Sequence, residues 1–290
     1  MKTAEIGIIG GSGLYQMEGL TDVEEREIDT PFGPPSDTIV LGTLDKKRVA
    51  FLPRHGRGHR ILPTDVPYRA NIYALKLLGV KRIVSVNAVG SLCQEMAPMD
   101  IVVPDQLIDC TRRRASTFFG EGIVAHVGFA QPFCPEMRNA TCAAGGSTGA
   151  QIHERGTHVV IEGPQFSTLA ESMMFRSIGA NIVGMTALPE AKLAREAEMC
   201  YVSVAFVTDY DCWHPTHESV TTEMILACLL MGAETARAIV RGILRDLPAD
   251  RSCSCGSALS GAIVTRVDLV PDKTKEKLSA ITGRYLLDAT

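Results

Sequence analysis

Aromatic residues are scarce in this sequence, at 6% of 290 residues with a single tryptophan. Long hydrophobic runs are missing as well. The longest apolar stretch, Ile225 to Ala233, falls far short of the roughly 18 residues needed to cross a bilayer, so no membrane role is expected. Nor is there an excess of positive charge. A formal net charge of −4 excludes a nucleic-acid binder working by bulk charge, and any basic site must be local. The opening MKTAEIGIIGGSG turns to glycine before a signal-peptide core can form, so no targeting segment and a cytoplasmic location are expected. Cysteine is plentiful by contrast, with nine residues. They are scattered over a long chain rather than packed into a small secreted frame, which fits reduced thiols. The remainder, 46% hydrophobic and 21% charged, describes a globular protein long enough to bury a sizeable core.

Hydrophobic patterning alternates between strands and helices. Ile6, Ile8 and Ile9 form a short apolar strand that stops at Gly10-Gly11-Ser12-Gly13. Strands are predicted over 40–44, 48–52, 82–86, 159–161, 182–185 and 201–207, from short β-rich runs bounded by turn residues. Helical spacing follows Pro67, then recurs over 169–177 and 189–197. Ile225, Leu229, Ala233, Ala236, Val240, Ile243 and Leu247 line one face of a long last helix. Such alternation predicts an α/β fold: one domain with a twisted, mostly parallel sheet flanked by helices. Residues 1–247 would form the catalytic domain, and 248–290 a C-terminal extension of it after the linker-like Pro248 to Gly256.

Four polar clusters sit where chain leaves strands, the place where open α/β sheets bind ligands. Gly10-Gly11-Ser12-Gly13 lets backbone N–H groups approach an anion, although a plain tight turn has the same composition. It lacks the third glycine of a dinucleotide fingerprint and the Gly-Lys pair of a P-loop. Arg54-His55-Gly56-Arg57-Gly58-His59-Arg60 concentrates three arginines and two histidines, and guanidinium groups bind phosphate through paired N–H donors. Asn87-Ala88-Val89-Gly90-Ser91 offers backbone donors and an amide, as a structural strand exit would. Thr208-Asp209-Tyr210-Asp211 sets two carboxyls at the end of a buried strand, where one can be held protonated to act as an acid. His214 and His217 follow, but the spacing matches no defined zinc or calcium loop, and no metal is expected.

Together with Asp-Thr-Pro-Phe-Gly at 29–33, Gln131 to Pro135, Ile161 to Ser167, Gly184-Met185-Thr186 and Thr208 to Trp213, these motifs resemble the nucleoside phosphorylase superfamily from Ile6 to about Leu247. The resemblance implies a single α/β domain assembled as a trimer or hexamer. It also implies phosphorolysis of 5′-methylthioadenosine to adenine and 5-methylthioribose 1-phosphate, with inorganic phosphate as co-substrate and no organic cofactor. Under it, Ser12, Arg54, His55, Asn87, the Ala88 backbone N–H and Thr186 would bind phosphate. Met185 would lie against the ribose, and Phe166, Ser167, Asp209 and Asp211 would surround the purine, with Asp209 the acid on N7. His126 would reach into a neighbouring subunit's 5′ pocket, whose wall would come from Val220, Thr222, Ile225 and Leu226. Departures are local: Asn87 stands where many relatives carry threonine, Gln165 where they often carry arginine, and Thr222 where valine is expected.

Two alternatives differ in chemistry. A 6-oxopurine or methylthioinosine phosphorylase would need a donor facing O6, whereas Asp209 and Ser167 suit a 6-amino group. A metal-dependent phosphohydrolase would use Asp209, Asp211, His214 and His217. Finally, Cys253-Ser254-Cys255 is the chain's only close cysteine pair. Heat-adapted relatives use disulfides of this kind, and one disulfide is expected here, from Cys253 or Cys255 to a distant partner such as Cys200 or Cys134.

Overall fold

The computed structural model describes residues 4–11, 14, 18–215 and 222–286, without the side chains of 222–227 and 229–230. Eleven strands form one sheet: β1 (Ile6–Gly10), β2 (Thr21–Arg26), β3 (Ile39–Leu44), β4 (Lys47–Pro53), β5 (Arg82–Ser91), β6 (Ile101–Val102), β7 (Gln106–Cys110), β8 (Ile152–His153), β9 (Thr157–Ile161), β10 (Ile182–Gly184) and β11 (Cys200–Asp209). Around it lie α1 (Tyr68–Leu77), α2 (Pro135–Gly146), α3 (Leu169–Ser177), α4 (Ala187–Glu196), α5 (Thr222–Asp246), α6 (Asp272–Lys277) and α7 (Ser279–Leu286). The α/β fold and the predicted strands are therefore present, and strand pairing is parallel at the centre and antiparallel towards the β2–β3–β4 edge.

Every residue of β1 and β11 is buried, because helices cover both faces of the central strands and leave no solvent side for alternation. One core packs α1 and α4 against the sheet, and the other packs α2 and α5 against its opposite face. On α5 the buried positions Ala236, Ile239, Val240, Ile243 and Leu244 recur at helical spacing, continued by Leu247 just beyond it, forming the expected apolar stripe.

Two strands outrun their predicted ends. β5 reaches Ser91 rather than Val86, so Asn87 to Ser91 is strand and not strand exit. β11 reaches Asp209, with a bulge between Val207 and Asp209. The stretch after Leu247 is also no free linker. Arg82 Nη2 donates to the carbonyls of Pro248 and Asp250 at 2.9 and 3.1 Å. Leu259, Leu278 and Ile281 then join the α1–α4 core, each gaining about 1.5–3 kcal/mol from burial.

A gap in the sheet positions the site. One edge of β5 pairs along its length with β11. The other edge pairs with β1 only as far as Ser85 and with β10 from Gly90. Among the described residues, Val86 to Val89 therefore have no strand partner on that side.

Candidate active site

A cavity of about 620 Å³ opens over this gap. Its walls come from the end of β1, the turn after β4, the free edge of β5, the chain after β9 and β10, the end of β11 and the middle of α5. Nearly all the expected residues that are described meet here: Arg54, His55, Asn87, Ala88, Phe166, Ser167, Met185, Thr186, Asp209 and Asp211 line one space. Ser12 and Val220 lie outside the described residues, as do the side chains of Thr222, Ile225 and Leu226 on α5. The α5 wall that is described consists of Gly232, Ala233, Ala236 and Arg237; sequence reasoning put Ala233 and Ala236 on the apolar face of this helix but none of the four in the site. His126 is exposed and absent from the cavity of its own chain.

The anion end differs from expectation in its details. Arg54 is buried, and its guanidinium is committed inward. Nε and Nη2 donate to the Glu190 carboxylate at 2.5 and 3.2 Å, Nη1 to Val86 O at 2.9 Å and Nη2 to Ser85 Oγ at 2.6 Å. Of five N–H donors, these bonds leave one on Nη1, so Arg54 cannot present a two-pronged fork to an anion. Glu190 is buried and also accepts from Ser85 Oγ and Tyr201 Oη. Its signal in the sequence is a carboxyl on the apolar face of α4 beside Ala187, Ala191 and Ala194, where a charge needs a buried partner.

His55 Nδ1 lies 2.8 Å from Ile61 O, so it carries the proton and leaves Nε2 as an acceptor. Burial and the Arg54 charge pull the His55 pKa down to about 4, and the ring is neutral at pH 7. Asn87 is likewise turned away from the expected role. Its amide donates to Ser203 Oγ at 2.8 Å and to Ser85 O at 3.1 Å, which occupies the nitrogen inside the protein. Its Oδ1 accepts from Thr186 Oγ1 at 2.9 Å. Asn87 thus orients Thr186, which the chain leaving β10 brings back along the free edge of β5.

At the other end, Asp209 and Asp211 are buried side by side. Asp209 accepts from Thr208 Oγ1 at 2.6 Å and from the Asp211 N–H at 2.7 Å. Burial raises the pKa of both carboxyls, and for Asp209 the neighbouring Asp211 charge adds to the rise. Gly90 makes the room, since a Cβ there would stand 2.9 Å from Asp209 Oδ1. Ser167 Oγ is buried without a hydrogen bond inside the protein. Gly163, at φ +67°, lets Met185 close in, as a Cβ would meet its Sδ at 2.5 Å.

A family model described as the phosphorylase superfamily matches residues 5–245. The chain belongs to the phosphorylase superfamily. The S-methyl-5′-thioadenosine phosphorylase of Koribacter versatilis is 59% identical over 97% of both chains. The crystal structure of a methylthioadenosine phosphorylase from an antarctic soil metagenomic library is 49% identical, with a TM-score of 0.93 over 97% of this chain and 99% of that one. The Schistosoma mansoni methylthioadenosine phosphorylase, solved with adenine, is 37% identical, with a TM-score of 0.84 over 92% of this chain and 100% of its own. Among the described residues, Asp209, Asp211 and His214 form no group able to hold a metal. His214 Nε2 lies 2.9 Å from Gln94 Oε1 and its ring stacks on Tyr210, and His217 lies outside the described residues.

Proposed function

We propose that the protein catalyses reversible phosphorolysis of 5′-methylthioadenosine, as a pentosyltransferase releasing adenine and 5-methylthioribose 1-phosphate. One observation carries this reading: two buried carboxyls with raised pKa face the same cavity as the Arg54–His55 turn and the free edge of β5, where an anion would sit. N-glycosidic cleavage needs both. Cation character grows at C1′, and negative charge grows on the departing purine.

A phosphate oxygen forms the bond to C1′ while the C1′–N9 bond breaks and its electron pair moves into the purine. The Asp209 carboxyl donates its proton to N7, and the carboxylate left behind is reprotonated from solvent. Its raised pKa keeps the acid form available. Asp211 and Ser167 accept from the 6-amino edge, Phe166 covers the base and Met185 lies against the ribose. Phosphate is held by positioning rather than activated by a base. The single free Arg54 N–H, the Ala88 N–H and Ser12 supply donors, the Thr186 hydroxyl lies beside them with its proton on Asn87, and neutral His55 Nε2 accepts from a P–OH group. That arrangement suits a phosphate that still carries a proton. Phosphate is the co-substrate, and no step calls for an organic cofactor.

The chain would act in the cytoplasm as a homo-oligomer, a trimer or hexamer. Support comes from His126, which is exposed and does not line its own cavity, as a side chain serving a neighbour's 5′ pocket would be. The experiment is to incubate methylthioadenosine and methylthioinosine separately, with and without phosphate, and identify the base. Adenine released only with phosphate is expected; hypoxanthine as the faster product, or release without phosphate, overturns the reading.

A further inference from the structure

The expected disulfide is absent, yet its candidate partners have come together. All nine cysteines are free thiols, and the sulfurs of Cys134, Cys200, Cys253 and Cys255 all lie within 4.8 Å of one another. The Cys200 and Cys253 sulfurs are 3.4 Å apart, well beyond the roughly 2.05 Å of a disulfide. Three separate segments build the group. Cys200 opens β11, Cys134 immediately precedes α2, and Cys253 and Cys255 arrive on a 3-10 turn at Ser254–Ser257.

The sulfurs are held in place by their surroundings. The Cys134 N–H donates to Tyr201 O at 2.9 Å, tying it beside the start of β11. The Ser252 N–H and Oγ both donate to Glu136 Oε2, at 2.8 and 2.9 Å, and Glu136 also accepts from Arg82. Arg251 Nη1 donates to Glu198 O at 2.9 Å. Cys134, Cys200 and Cys255 are buried and Cys253 is half-buried.

Four sulfurs at such spacing fit one metal ion. Zn–S bonds of about 2.3 Å place tetrahedral sulfurs about 3.8 Å apart, a value inside the 3.4 to 4.8 Å seen here. Thiolate donors select soft or borderline cations over magnesium or calcium. A zinc tetrathiolate carries two negative charges, and two arginines, Arg82 and Arg251, anchor the loop that supplies Cys253 and Cys255. Four protein ligands leave no open coordination position, which marks a structural rather than a catalytic site.

We propose that Cys134, Cys200, Cys253 and Cys255 bind one zinc ion, which fastens the segment after α5 to the start of β11. The site is remote from the reaction. Cys200 and Asp209 are the first and last of the ten residues of β11, about 30 Å apart at strand rise. Sequence spacing hides it, because only the C-x-C pair is local and three chain segments must meet to complete the set.

The test uses the full chain expressed with added zinc and purified without chelator. Metal analysis is expected to find about one zinc per chain, and nine thiols should titrate after denaturation with chelator. Reduced, metal-free protein given Co²⁺ alone should develop the intense visible absorption of a tetrahedral cobalt thiolate. The double variant Cys253→Ser, Cys255→Ser should lose the metal and melt at lower temperature, with both substrate KM values unchanged. Should that variant fail to fold, the wild-type stoichiometry and the cobalt spectrum still decide. Protein that contains no zinc and takes up neither Zn²⁺ nor Co²⁺ overturns the proposal. So does a count below nine thiols in metal-free protein, which would mean a disulfide instead.

Discussion

The two ends of β11 carry opposite kinds of chemistry. At its carboxyl end, Asp209 and Asp211 are buried carboxyls whose charged forms are disfavoured, facing a cavity. At its amino end, Cys200 sits among three other thiols, packed between helix, strand and C-terminal segment. The first end contributes reactivity from groups the fold makes uncomfortable, whereas the second contributes cohesion from groups the fold brings into register. One strand can do both because its ten residues are wholly buried and hold the two ends about 30 Å apart. The comparison is sharpest where a residue at the reactive end also bears on cohesion.

Arg54 is that residue, and its replacement has the largest expected effect. Were the reactive end concerned only with binding, Arg54→Ala would raise KM for phosphate and leave stability intact. The ion pair with Glu190 says otherwise, since removing one partner of a buried pair costs about 3–5 kcal/mol. Arg54→Ala is expected to lose that much in denaturant unfolding, along with phosphate affinity. Replacing both partners, Arg54→Met with Glu190→Leu, should recover stability without recovering phosphate binding. A normal unfolding midpoint for Arg54→Ala would break the comparison.

Asp209→Asn comes next and should separate the two properties in the other direction. Losing the acid is expected to lower turnover by about 10²-fold or more, while the melting temperature holds or rises because the amide cannot take on the charge that burial disfavours. The sign of the pH dependence follows from the raised pKa. The active form is protonated, so wild-type kcat/KM should fall as pH rises through the folded-state value. The group's stabilising contribution, present below the unfolded pKa, is lost over the same rise. In Asp209→Asn both dependences should flatten. Near-normal adenine release by the variant would remove Asp209 as the acid.

The two ends also differ in how far the sequence revealed them. Thr208 to Asp211 is contiguous and follows an apolar strand, so both carboxyls could be placed from local pattern alone. Arg54 and His55 were visible as a basic cluster in an acidic chain. Their actual duties were not, because Glu190 and Ile61 O become partners only through tertiary packing. Asn87 was misread for the same reason. Local pattern ended β5 at Val86, but pairing with β11 as far as Gly90 and with β10 at Gly90 and Ser91 extends it, and the amide turns towards Ser85 and Ser203. The cysteines mark the limit: one disulfide from Cys253 or Cys255 to a partner such as Cys200 or Cys134 was expected, whereas the structure brings all four together as free thiols.

A smaller effect concerns the 5′ end of the cavity. On α5, Gly232, Ala233 and Ala236 line the cavity beside Arg237, and the expected 5′ wall of Thr222, Ile225 and Leu226 belongs to the same helix. A methylthio group in place of hydroxyl should gain about 1–3 kcal/mol there, a preference of about 10- to 200-fold in kcat/KM over adenosine. Equal kcat/KM values for the two nucleosides would mean that the wall is polar or open to water.

The smallest expected effect is at Asn87, which lies between the two ends, opposite Ala205 in the middle of β11. Its Oδ1 takes the Thr186 hydroxyl proton, so that proton is withheld from phosphate. In Asn87→Thr the shorter side chain no longer reaches Thr186, whose hydroxyl is then free to donate, and a second hydroxyl appears beside the free edge of β5. One hydrogen bond is worth about 0.5–1.5 kcal/mol net, equivalent to a roughly two- to twelve-fold lower KM for phosphate. KM for nucleoside and kcat should stay near their original values. The cost falls on cohesion: Ser203 Oγ and the Ser85 carbonyl lose the donor they share, and a buried group left without its partner costs about 1–3 kcal/mol. The variant should therefore bind phosphate better and unfold more easily. If KM for phosphate does not move while stability falls, Thr186 already turns from Asn87 to phosphate on binding, and Asn87 belongs wholly to the cohesive half of the strand pair.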